Sequence, residues 1–119
     1  MNWNEQRDIL NEMAELSGFW YDRDEQLWKY ANSGEIYFDM EGLPNHPFYW
    51  DYEAVLDIPA GYVVEVCQIE SSLWDCSIYP EGVIDCVASY AAEDEITARI
   101  MAKLILLRKI KEEGQTNHE

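Results

Sequence analysis

The sequence predicts an α+β fold: a small antiparallel sheet, made of a three-stranded meander plus short strands, packed by an N-terminal helix and a long C-terminal helix. Three observations carry this. Ile96, Ile100, Leu104, Leu107 and Ile110 recur at three- and four-residue spacing, the stripe of an amphipathic helix over residues 93–111. Upstream, segments 62–69, 74–79 and 83–90 alternate apolar and polar residues, the period of strands with one buried face. The connections at 70–73 and 80–82 are short enough for hairpins.

Taken in order, residues 4–17 carry Ile9, Leu10, Met13 and Leu16 on one helical stripe, with Asn2 or Asn4 as cap and Gly18 as the stop. Phe19-Trp20-Tyr21 and Leu27-Trp28-Lys29-Tyr30 read as short strands around a polar turn. A third, 35–40, alternates Ile36 and Phe38 with Tyr37 and Asp39. Residues 42–47 hold two prolines and read as loop, and Asp51 caps a short helix over 52–56. In the C-terminal helix, Met101, Ile105 and Leu106 widen the apolar stripe, so burial on more than one side is expected. Glu93, Asp94 and Glu95 fall in its first turn and Arg108, Lys109 and Lys111 in its last, each with the sign the helix dipole favours. Gly114 is the expected stop, followed by a disordered tail over 115–119. At 119 residues, 1–119 forms one domain with room for a real core.

Charge separates the function classes. The formal net charge is −16, and between Tyr30 and Ala98 fourteen Asp and Glu occur without one Lys or Arg. Direct binding of nucleic acid or of an anionic membrane surface is excluded on that balance, because phosphate contacts need cations. No apolar run is long enough to span a membrane and the N-terminus lacks a secretory pattern, so a cytoplasmic location is expected. Cys67, Cys76 and Cys86 form no CxxC pair and are expected as small buried residues in a reducing compartment, with no metal and no cofactor. No nucleophile, phosphate-loop or metalloprotease motif occurs, and His46 is the one histidine outside the tail, so an enzyme is not expected.

Two groups of residues are candidate partner contacts. Pairing apolar residues across the meander sets Val66 opposite Cys76 and Cys76 opposite Cys86, with Val64, Ile78 and Ile84 aligned likewise. That register puts Glu65, Ser77 and Asp85 in one row on the other face, with Asp75 one row away. Clustered like charges cost stability, so a fold tolerates them more readily where a partner uses them. The alternative is a merely solvated face, or one reached by Arg99 or Lys103. Tyr49, Trp50 and Tyr52 form the second group, filling the core or anchoring a partner beside the loop.

Pro47-Phe48-Tyr49, Asp51 with Ala54, Trp74, Ala91-Ala92, Glu95-Ile96, Ala98 and Ala102-Lys103-Leu104 together resemble the phage ABA sandwich domain of small phage proteins. The resemblance implies a phage origin and helices on both faces of a sheet, and transfers no catalytic residue. Resemblance and acidity lead to one expectation: a non-enzymatic phage protein that binds a basic surface of a host protein and inhibits a nucleic-acid-directed defence by mimicking nucleic acid. A protein that sequesters a small molecule such as a nucleotide signal, and a self-associating accessory protein, are the alternatives.

Overall fold

The computed structural model describes residues 2–24, 27–30, 36–37 and 58–116. Helix α1 (Trp3–Leu16) starts where Asn2 accepts the Glu5 N–H at 2.9 Å and returns its amide to the Glu5 carboxylate at 3.3 Å. Gly18, at φ 98°, turns the chain out of the helix in a conformation that suits glycine. Strands β1 (Phe19–Asp22), β2 (Leu27–Tyr30) and β3 (Ile36–Tyr37) follow as an antiparallel sheet in the order β1-β2-β3. Asp22 fixes its first turn by accepting the Asp24 N–H at 3.0 Å and the Lys29 ammonium at 2.9 Å. The cross-strand pair Tyr21 and Trp28 brings two rings together at 5.5 Å, and Trp28 is buried.

The second sheet holds β4 (Tyr62–Glu70), β5 (Leu73–Pro80) and β6 (Ala88–Ala92), antiparallel and in that order. Helix α2 (Glu95–Thr116) closes the chain. Asp94 caps it: its carboxylate accepts the Thr97 N–H and the Thr97 hydroxyl, both at 2.8 Å. The α+β class therefore holds, with two three-stranded sheets among the described residues.

The β4–β5 register is the expected one, with Val64 opposite Ile78, Val66 opposite Cys76 and Glu65 opposite Ser77. The β5–β6 register is not. Cys76 faces Tyr90 and Ile78 faces Ala88, four residues from the expected partners Cys86 and Ile84. The third strand is Ala88–Ala92, and residues 83–87 lie outside it. The turn explains the shift. The Val83 N–H bonds the Pro80 carbonyl at 3.1 Å, and Gly82 takes φ 76°, as the third residue of a type II turn does. Type II turns splay a hairpin, so the chain leaves the sheet and rejoins it where the Val87 N–H meets the Ile78 carbonyl at 2.9 Å.

The C-terminal helix differs as well. It begins at Glu95 and runs through Gly114 to Thr116, so its last turn carries no basic residue and Arg108, Lys109 and Lys111 lie upstream of it. Cys86 sits in the loop and is exposed, as is Cys67, so only Cys76 meets the expectation of burial. The expected helix at 52–56, the strand residues beyond Tyr37 and tail residues 117–119 lie outside the described residues.

Helix α2 is buried on two opposite sides. Ile100, Leu104 and Leu107 meet Leu10 and Met13 of α1. Ala98, Ala102 and Leu106, half a turn round the helix, meet Cys76, Ile78 and Ala88 of the sheet. The layers run second sheet, α2, α1. Arg108 braces the two helices with Nε to Glu12 Oε2 at 2.5 Å and a second nitrogen to Oε1 at 2.7 Å. The Lys109 ammonium donates to the Val87 carbonyl, tying α2 to the loop before β6.

Two outcomes follow. Leu104 is 1% exposed at the α1–α2 contact, so Leu104→Ala should lower unfolding stability by about 2–5 kcal/mol in urea titrations. Arg108 holds the Glu12 carboxyl below its usual value of 4.5, chiefly by hydrogen bonding. A lowered folded-state value gives stability that is present above 4.5 and lost as pH falls through the folded value. Glu12→Gln should therefore be less stable than the wild type at neutral pH and converge on it below that range. The gap should be small, because the two side chains are 39% and 50% exposed.

Candidate functional site

A sheet with a helix on one side presents alternate residues to the other. On the second sheet these are Val63, Glu65 and Cys67 of β4, up to the bulge between Gln68 and Glu70, Asp75, Ser77 and Tyr79 of β5, and Ser89 and Ala91 of β6. Glu65, Ser77 and Ser89 form one cross-strand row, and Cys67, Asp75 and Ala91 form the next. Glu65 is exposed and Asp75 half-buried. The Ser77 hydroxyl donates to Asp75 Oδ2 at 3.0 Å, which fixes the carboxylate along its own strand.

Two of the three expected carboxylates thus share this face. Asp85 does not belong to the row: Ser89 occupies the position opposite Ser77, and Asp85 stands exposed in the loop between β5 and β6. Tyr49, Trp50 and Tyr52 lie outside the described residues. The cations named as possible neutralisers, Arg99 and Lys103, stand on α2, against the opposite face. Arg99 pairs with Glu95 at 3.7 Å within the helix, and Lys103 is buried.

Sequence reading missed exposed apolar residues on and around the second sheet. Val63 and Ile69 are 49% and 55% exposed, and Ile84 is 93% exposed. Val63 had a visible signal, since β4 carries apolar residues on both of its faces, whereas Ile69 stands at the bulge between Gln68 and Glu70, where alternation breaks. Ile84 had none, because its apolar character is what placed it in the expected strand.

Elsewhere, a groove of about 320 Å³ runs between the helices, lined by Glu12, Glu15, Leu16, Arg108, Lys111 and Glu112. Its charges are mixed, and the Arg108 guanidinium already binds Glu12. Among the described residues no cluster of three or more His, Cys, Asp or Glu is placed to hold a metal. No helix among them is long and apolar enough to cross a membrane.

The thiols report directly on this geometry. Cys67 and Cys86 are exposed, whereas Cys76 is buried and burial raises its pKa. A colorimetric thiol titration of the native protein should show two fast thiols, with the third reacting only on unfolding. Comparison of the chain with protein-family models, with curated proteins and with solved structures finds no match.

Proposed function

We propose that this chain is a small acidic binding protein, not an enzyme, whose partner is a protein with a basic, nucleic-acid-binding surface. One observation carries the reading: Glu65 and Asp75 share a sheet face on which no described residue is basic, within a chain of net charge −16. Such a field draws a cationic surface and orients it before contact. Carboxylates spaced along strands would stand in for phosphates and block the partner's DNA or RNA channel. With the resemblance to the phage ABA sandwich domain, the reading becomes a phage protein acting in the bacterial cytoplasm on a host defence protein.

Affinity capture at low and at physiological salt tests it. The wild type should retain a nucleic-acid-binding protein at low salt and release it as ionic strength rises, because exposed charges are screened over about 8–10 Å under those conditions. The paired variant Glu65→Gln, Asp75→Asn should retain less at low salt, and added duplex DNA should compete for the captured protein. Retention that ignores salt, or that DNA does not disturb, would sink the mimicry reading.

A further inference from the structure

The loop between β5 and β6 combines two properties. It exposes a large aliphatic side chain, Ile84, at 93%. It is also held at both ends. The Glu81 N–H donates to the Gly61 carbonyl at 2.9 Å, and the Val83 N–H to the Pro80 carbonyl at 3.1 Å. On the far side, the Val87 N–H donates to the Ile78 carbonyl at 2.9 Å, and the Val87 carbonyl accepts Lys109. Single exposed aliphatic residues are common on protein surfaces. Here the residue is carried on a short loop tied down at both ends, which limits the ordering needed to bury it against a partner.

Charge selects the occupant. Glu81 and Asp85 flank Ile84, both exposed, and no Lys or Arg lies between Pro80 and Ala98. A second copy of the chain would bring another net charge of −16 and the same acidic loop. We infer that the 81–86 loop is the anchor of the interface: Ile84 enters an apolar pocket on the partner, and lysines or arginines rimming that pocket meet Glu81 and Asp85. This rests on the reading of a basic partner and adds that the contact is not purely ionic.

The test uses two synthetic peptides of equal length and charge, one alternating lysine with leucine, the other lysine with serine. Affinities are measured by fluorescence anisotropy for the wild type, for Ile84→Ser and for Ile69→Ser. Ile69 is a second exposed isoleucine, far from the loop on β4, and controls for general loss of apolar surface. Circular dichroism checks that each variant is folded. The expected result is that Ile84→Ser loses about tenfold in affinity for the lysine–leucine peptide, and nothing for the lysine–serine one. Ile69→Ser should match the wild type with both. Equal losses in the two variants, or none in Ile84→Ser, would overturn the anchor while leaving a cation-seeking surface in place. Failure of the wild type to bind either peptide at low salt would overturn the basic-partner reading and the anchor with it.

Discussion

The structure depends on a helix that must be buried twice. Helix α2 carries aliphatic residues on opposite sides, Ile100 and Leu104 on one and Ala102 and Leu106 on the other. Neither side could stay in water without forfeiting about 25 cal/mol for each Å² of apolar surface. A helix covers the first side and a sheet the second, and that requirement sets the order of layers. Residue size fits each contact. Alanines at 88, 98 and 102 face one another between sheet and helix, where a strand backbone comes close. Leucine, isoleucine and methionine fill the gap between the two helices.

The same helix shows what was legible in the sequence. Its doubled stripe was readable because burial on two sides needs more apolar residues than one stripe holds. The β4–β5 register was readable because a one-residue slip would have turned Val64, Val66, Cys76 and Ile78 towards solvent. The β5–β6 register was not readable by that logic. Ile84, Cys86 and Ala88 have the same parity as Ala88, Tyr90 and Ala92, so both sets satisfy a period of two. The choice between them lies in the turn over Pro80–Val83, where the chain leaves the sheet before rejoining it at Val87. Alternation cannot register a shift by an even number of residues. The error carried into the candidate site, where it displaced Asp85 and left Glu65 and Asp75 in place.

Electrostatics follows the layering. The described cations with assigned partners lie on the first hairpin or on α2: Lys29 with Asp22, Arg99 with Glu95, Arg108 with Glu12, and Lys109 with a carbonyl. These contacts close a turn, run along the helix or join elements. The face of the second sheet turned away from α2 has no described basic residue, so its carboxylates act outward. The contrast is one of position, since the helix side of the molecule uses its charges internally and the sheet side presents them.

The brace between Glu12 and Arg108 joins residues 96 apart in sequence. The second sheet and α2, by contrast, are built from one continuous stretch between Tyr62 and Thr116. Loop-closure entropy favours the contiguous stretch forming first, with α1 docking afterwards onto a finished surface. On that reasoning the N-terminal helix arrives after the second sheet and α2 and opens before them. Its amides would exchange with solvent through excursions that leave the sheet and α2 intact. Such an opening would uncover Ile100 and Leu104 without disturbing the acidic face on the far side of the sheet.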